Sequence, residues 1–366
     1  MRTMKRLFYK NIHYKTVTIT TAGVDQTRAS LLVIYTGGTL GMVYDEKAKH
    51  LIPFDFEQIL DKIPELDRFG FNLTVISFNQ LIDSANVTPA HWIALATLIE
   101  ENYERYQGFV IIHGTDTMAH SASALSFLLE NLNKPVIFTG AQLPIGAVRT
   151  DARENLITAL EIAAAKREGR PIVPEVCIYF NNLLLRGNRS KKVESAQFGA
   201  FEAANYPSLA DCGIRINYNS LVIKPYQPFG EFKVYKKLDH RVAILRLFPG
   251  IEPMQVNAIL QMPDLKGIVL ETYGSGNAPT AQWFIDALKR SIEDGILVLN
   301  VSQCNGGTVM QGRYETSKTL ANVGVISGGD ITTEAAITKM MFLLGNYTDD
   351  AEIGRNLGRA IRGEMS

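Results

Sequence analysis

The chain reads as an α/β protein of two domains, each built on a mainly parallel sheet. Three observations predict this. Short apolar runs alternate with longer amphipathic stretches over most of the 366 residues. Each run ends in a polar or glycine-rich loop, as strands of a parallel sheet do before a crossover helix. The alternation fades between residues 205 and 240 and then resumes, and 366 residues are comfortable for two domains.

After 30 residues without a clear pattern, LLVIY (31–35) leads into TGGTLGM, and NLTVISF (72–78) into NQLIDSANVTP. FVIIH (109–113) leads into GTDT, PVIFTG (135–140) into AQLP and VCIYF (176–180) into NNLLLRGN. Each run has the length and composition of a buried strand. Thr88-Pro89 is a cap followed by proline in the first helical turn, and Trp92, Leu95, Ile99 and Tyr106 then line one face. Met118, Ala122, Leu125, Leu129 and Leu132 form a second helical stripe. Leu156, Leu160 and Ala163 form a third, behind a capping-box-like Asp151 and Glu154. YNSLVIKPYQPFGEFKVYKKLDH, with two prolines and no helical period, reads as the end of one domain and a linker. VAILRLFPG (242–250), GIVLETYGSGNAP (267–279), GILVLNVSQCNGG (295–307) and GVISGGD (324–330) resume the alternation. Proline near its start and glycine past its end frame a helix between Pro279 and Gly295. The expected division is an extension over 1–30, a first domain over 31–215, a linker over 216–241 and a second domain over 242–366. Ligands in such sheets bind beyond the carboxyl ends of the strands, so the polar tails converge on one edge.

Composition narrows the function. Lys+Arg and Asp+Glu are both 37, so nothing advertises nucleic acid or an anionic membrane as a partner. Cys177, Cys212 and Cys304 form no CxxC pair, which argues against a disulfide framework or a zinc site. The basic N-terminus lacks an apolar signal-peptide core, and no apolar run is long enough to span a bilayer. The expectation is a cytoplasmic enzyme or binding protein.

Two loops carry candidate chemistry. In TGGTLG, Gly37 and Gly38 permit a sharp turn and close backbone approach to a ligand, but with Gly41 they make neither a GxGxxG nor a Walker pattern. Thr39, taken alone, reads as a threonine bonding its own turn. In HGTDT, Asp116 and Thr117 suit a helix cap, yet two threonines around an aspartate are more than a cap requires. A threonine hydroxyl reacts only beside a base, and a buried lysine such as Lys191 or Lys192 is one source of it; both also read as ordinary surface lysines. His113 ends its strand and reads as a packing residue. No HExxH and no GxSxG is present, so the chemistry expected is hydroxyl-based, with no metal and no cofactor.

YTGGTLGM and IIHGTDTM, in this order and at this separation, resemble the bacterial-type L-asparaginase family. DSANVTP, SASALSFLLENLNKPVIFTGAQLP, YFNNLLLRGNRSKK, YGSGNAP, SQC and GVISGGD resemble its cytoplasmic type I branch. The resemblance runs from about Leu31 to Gly363. It implies a two-domain asparaginase-like α/β fold, with a larger N-terminal mixed or parallel sheet and a smaller C-terminal parallel sheet. It also implies hydrolysis of L-asparagine to L-aspartate and ammonia, and a homotetramer assembled as a dimer of dimers. By resemblance, Thr39 is the flexible-loop threonine usually assigned as nucleophile, and Thr115, Lys192 and Asp116 form a relay. Asp83 and Ser84 hold the substrate's α-amino and α-carboxylate groups, and Gly38 and Ala141 border the pocket. A tyrosine assists the first threonine in many relatives; Tyr44, in a lengthened loop, and Tyr314 are the candidates. Which threonine attacks stays open. An allosteric asparagine site of type I enzymes aligns with Lys191, Glu271 and Cys304, and only the cysteine fits it. Glutamate in place of an arginine removes the partner for an effector's carboxylate, so no activation through that site is expected.

Two alternatives remain. The amidotransferase subunit that shares this core carries an additional N-terminal domain, for which 30 residues are too few. A catalytically dead amino-acid-binding protein is expected to lose a threonine or the lysine, and all four polar positions are present.

Overall fold

The computed structural model describes residues 14–19, 29–45, 49–53, 63–68, 71–311 and 315–366. Contacts divide the chain into two compact units, Met1–Ala203 with Pro207–Tyr235, and Ala204–Tyr206 with Lys236–Ser366.

The first unit is organised on a nine-stranded sheet. Its strands are β1 (Tyr14–Ile19), β2 (Ala29–Tyr35), β3 (Phe71–Phe78), β4 (Gly108–Ile112), β5 (Val136–Thr139), β6 (Val176–Phe180), β7 (Leu183–Arg186), β8 (Ala210–Cys212) and β9 (Ile216–Tyr218). The order is β1-β3-β2-β4-β5-β6-β7-β8-β9. The central strands β3, β2, β4, β5 and β6 run parallel, and β1, β7, β8 and β9 add antiparallel edges, so the sheet is mixed. Every residue of β4 and β6 is buried, which requires cover on both faces and explains their unbroken apolar runs.

Helix α1 (Pro89–Asn102) packs on α2 (Met118–Leu128), and α2 and α3 (Ala152–Ala164) pack on the sheet. Helix α1 opens as expected: the Thr88 N–H donates to the His91 ring at 3.0 Å, and proline takes the first turn. Helix α2 stops earlier than its apolar stripe. Leu129-Glu130 leaves it to pair with Lys233-Val234, and Asn131 turns the chain at φ 55°. Leu129 and Leu132 therefore lie outside the helix.

The second unit carries the parallel strands β10 (Val242–Arg246), β11 (Gly267–Thr272), β12 (Leu297–Ser302) and β13 (Ile326–Ser327), in that order. Helices α4 (Pro253–Leu260), α5 (Gln282–Glu293), α6 (Glu315–Asn322), α7 (Thr333–Asn346) and α8 (Asp350–Leu357) complete it. Leu245, Ile268, Leu270, Phe284, Leu288 and Val298 lie in its core. Gly295, at φ 87°, ends the helix framed by Pro279. Lys339 and Glu364 are fully buried and pair at 2.6 Å, tying the C-terminal segment to α7. Among the described residues no helix is long and apolar enough to cross a membrane.

Candidate active site

Strand β2 is the switch point of the first sheet: the chain passes to β3 on one side of it and returns to β4 on the other. In open α/β sheets ligands bind at the carboxyl ends beside such a switch point. Tyr35 and Ile112 are register partners, and Thr36 donates to the Ile112 carbonyl through its N–H at 3.1 Å and its hydroxyl at 2.9 Å. The loops TGGTLG and HGTDT therefore leave from adjoining strands.

Glycine sets how closely they approach. A Cβ on Gly38, at φ 93°, would fall 2.6 Å from the Gly114 nitrogen. A Cβ on Gly37, at φ 137°, would fall 2.3 Å from the Ile82 carbonyl oxygen, and one on Gly114 would fall 2.6 Å from Ser84 Oγ. The loop after β2 thus meets those after β3 and β4 backbone to backbone, and Gly114 takes the Ser84 side chain, at contacts that no other residue type permits.

Thr39 begins a short 3-10 turn, Thr39–Gly41. The Tyr35 hydroxyl, its pKa raised by burial, donates to the Gly41 carbonyl at 2.9 Å and closes this turn. The Thr39 hydroxyl bonds to no described residue, so the reading that it holds its own turn is not what the structure shows. Tyr44 follows on a strand, Met42–Asp45, paired with His50–Pro53; its side chain, like the whole of Tyr314, lies outside the described residues.

Thr115 and Asp116 precede α2, and Lys192 reaches them from elsewhere in the chain. Strand β7 ends at Arg186, whose guanidinium pairs with buried Glu175 at 2.6 Å. The following turn, Gly187–Arg189, packs on α2: a Cβ on Gly187 would sit 3.0 Å from that of Ala122. Lys192 comes next, in register with Phe201. Its Nζ donates to Thr115 Oγ1 at 2.7 Å and to Asp116 Oδ1 at 2.7 Å. Its side chain is 18% exposed and that of Asp116 is 63% exposed. Both halves of this cluster are thus referenced to the same helix.

The remaining sequence candidates line the neighbouring loops. Asp83 accepts from the Ala85 N–H at 3.0 Å, and Ser84 is buried against Gly114. The Thr117 hydroxyl donates to the Ser84 carbonyl at 2.7 Å, so it ties two loops together and makes no side-chain cap for α2. Ala141 is buried in the loop after β5. Lys191 neighbours Lys192 but enters no bond with the Thr115 cluster.

Three residues that sequence reasoning did not select also belong here. Gln142 accepts from the Thr115 hydroxyl at 3.4 Å, and Gln142 Nε2 donates to the Gln197 carbonyl at 2.9 Å. Asp151 does not cap α3; its carboxylate receives the backbone N–H groups of Gln142 and Leu143 at 3.0 and 3.1 Å and so fixes the loop holding Ala141. AQLP was visible at a strand end, but only a long-range fold shows which of its residues faces Thr115. The third is His113, which is buried at the root of the HGTDT loop.

Burial lowers His113 from the ordinary 6.5 to about 4; the hydrogen bond to Gly114 opposes the shift and the charge of His91, on α1, adds to it. The folded chain therefore binds fewer protons than the unfolded one between these values. Stability from this imidazole is complete above 6.5 and is lost as the pH falls toward 4, about 3 kcal/mol in all. Urea unfolding of the wild type and of His113→Asn across that window checks it: the variant should lack this part of the acid sensitivity.

The comparisons with known proteins agree with this architecture. The family descriptions "Asparaginase, N-terminal" and "Glutaminase/Asparaginase C-terminal domain" match residues 30–223 and 241–357. L-asparaginase 1 of Escherichia coli (strain K12) is 39% identical over 340 residues, 93% of this chain and 98% of that one. The 60 kDa lysophospholipase of Mus musculus is 39% identical over 92% of this chain, which spans 62% of that longer protein. The crystal structure of L-asparaginase I from Vibrio cholerae, 39% identical, superposes with a TM-score of 0.84 over 93% of this chain and 100% of that one. The chain belongs to the asparaginase family of amidohydrolases.

Proposed function

We propose that the protein is an L-asparaginase that hydrolyses the side-chain amide of L-asparagine to L-aspartate and ammonia. The observation that carries this reading is Lys192 Nζ, 2.7 Å from both Thr115 Oγ1 and Asp116 Oδ1, on the loop that abuts the Thr39 turn. Thr39 is the nucleophile, since its hydroxyl bonds to no described residue while that of Thr115 is engaged by Lys192 and Gln142. Its Oγ bonds to the amide carbon, the C–N bond breaks, and the proton leaving Thr39 travels through Thr115 and Lys192 to the departing nitrogen as ammonia forms. Water then cleaves the acyl ester and restores the threonine. Asp116 holds the lysine in place. Asp83 and Ser84 receive the substrate's ammonium and carboxylate, with Gly38 and Ala141 at the rim. By family resemblance the working form is a homotetramer in the cytoplasm, with L-asparagine as its small-molecule partner.

Glu271 bears on regulation. It is buried, pairs with Arg246 at 3.0 Å and accepts from the Thr333 hydroxyl at 2.6 Å, so both carboxylate oxygens are engaged and its negative charge stands where an effector's carboxylate needs a cation. Ammonia release from asparagine and from glutamine, each over a concentration series, tests function and regulation together. Turnover of asparagine along a hyperbolic curve is the expected result. Fatty-acid release from lysophosphatidylcholine without ammonia from either amide would overturn the reading. A sigmoidal curve abolished by Glu271→Ala or Cys304→Ala would overturn the regulatory part.

A further inference from the structure

Beneath the HGTDT loop runs a buried hydrogen-bond chain that the proposed chemistry does not use. Trp92 Nε1, on α1, donates to Ser121 Oγ on α2 at 2.8 Å. Ser121 Oγ lies 3.0 Å from His113 Nε2, and His113 Nδ1 lies 2.6 Å from the Gly114 carbonyl oxygen. Ser121 and His113 are buried, and the ring meets Phe138 edge-on at 5.8 Å.

The two ends of this chain fix the protons for a neutral ring. An indole N–H only donates and a carbonyl only accepts. Nδ1 must therefore carry a proton, and in the neutral ring Nε2 accepts from the Ser121 hydroxyl. The neutral ring with its proton on Nδ1 is the form that satisfies every member at once. His91, on α1, is the other titratable group acting on the ring.

The chain ends at one peptide group. Gly114 O belongs to the Gly114–Thr115 peptide, which is planar and trans, so its N–H points opposite to its C=O. Drawing the carbonyl onto a buried ring turns the Thr115 N–H away from the core. That N–H donates to no described residue. The preceding peptide, His113–Gly114, is wedged from outside, because its Gly114 nitrogen and the Gly114 Cα abut Gly38. The backbone of His113 is held too: its N–H donates to the Thr139 carbonyl at 2.9 Å, and a Cβ on Gly140 would fall 2.4 Å from the His113 carbonyl oxygen.

We propose that His113 is a positioning residue: through Gly114 O it holds the Gly114–Thr115 peptide so that the Thr115 N–H stands free as a donor to the oxyanion formed in amide hydrolysis. Ser121 and Trp92 act one and two steps further back, by keeping the ring's proton on Nδ1. The substrate is never touched by the imidazole. Such a donor, oriented before the reaction, acts on the charge that develops in the transition state and so governs kcat more than KM.

The proposal rests on the amide-hydrolysis reading, so wild-type ammonia release is measured first; its absence counts against that reading and leaves the His113 variants unscored as kinetics. In His113→Gln the amide stands in for Nε2 and the donor to Gly114 O is lost; in His113→Asn the amide stands in for Nδ1 and the donor is kept. With active-site concentration counted by folded protein, His113→Gln should lose kcat by about 10- to 100-fold at near-constant KM, less than the ~10²–10³ of outright donor removal. His113→Asn should stay within a few-fold of the wild type. A purely structural role would lower the stability of both variants and leave kcat alike in the two, and that result overturns the proposal. The wild type carries a second readout that needs no variant to fold. Imidazole ¹⁵N spectra should show His113 as the neutral form protonated on Nδ1, and a form protonated on Nε2 overturns the proposal independently of any kinetics.

Discussion

Lys192→Met is expected to lower kcat on asparagine by about 10²–10⁴-fold, the range of a lost general acid–base group, while KM changes by a few-fold at most. Methionine keeps most of the length and apolar packing of the lysine stem and removes the ammonium. Asp116, whose side chain is 63% exposed, then loses its partner but keeps its water, so folding should change by less than about 1 kcal/mol. Thr115 keeps its bond to Gln142 and loses the donor at 2.7 Å that links it to a proton source. Steady-state ammonia release with a denaturation curve on the same sample separates the two effects. Turnover within a few-fold of the wild type in a folded Lys192→Met protein would sink the Thr115–Lys192–Asp116 relay.

Glu364→Ala should have the largest effect on stability, a loss of about 3–5 kcal/mol, measurable as a lowered denaturant midpoint. The Lys339 ammonium is wholly buried, and Glu364 supplies its only opposite charge among the described residues, at 2.6 Å. The carbonyls of Leu357 and Arg359, at 3.1 and 2.6 Å, would still accept from it but cannot neutralise it. Glu364 also receives the N–H groups of Ile361 and Arg362, so its removal leaves that turn without its internal acceptor. The double variant Lys339→Met with Glu364→Leu should recover much of the loss, because the cost comes from stranding one charge and not from the absence of the pair. If the double variant were as unstable as Glu364→Ala, the turn and not the charge would be responsible.

The strands legible in the sequence are those whose signal is local. LLVIY, FVII and VCIYF are apolar runs because both faces of β2, β4 and β6 are covered, and a continuous run needs no partner to be seen. The strand β1, YKTVTI, carries no such run; it is an antiparallel edge whose pairing with β3 lies more than fifty residues away. β8 and β9 fall where the helical period fades, because three-residue strands are too short to show a period at all. Helix α2 was read too long because nothing near Leu129 foretells a partner at Lys233-Val234.

The site divides in the same way. Thr39, Thr115 and Asp116 are conspicuous because they sit at strand ends in short polar loops. Lys192 is distinguished from Lys191 only by resemblance to the family; the residues alone admit either. Gln142, Asp151 and the ring of His113 act across 27, 9 and 8 positions of sequence, on Thr115, Gln142 and Ser121 respectively, and no pattern encodes such pairings.

The glycine contacts between the loops have a consequence for how such a site can change. Gly37 and Gly38 stop the loop after β2 against the backbone of the loops after β3 and β4, with no rotamer in between to lengthen or shorten. The spacing of the two threonine loops is thereby set by atomic radii, like a machined shim, and not by any side chain that drift could trim. Divergence toward new amides has to work on the side chains these loops carry and leave the spacing of the loops as it stands.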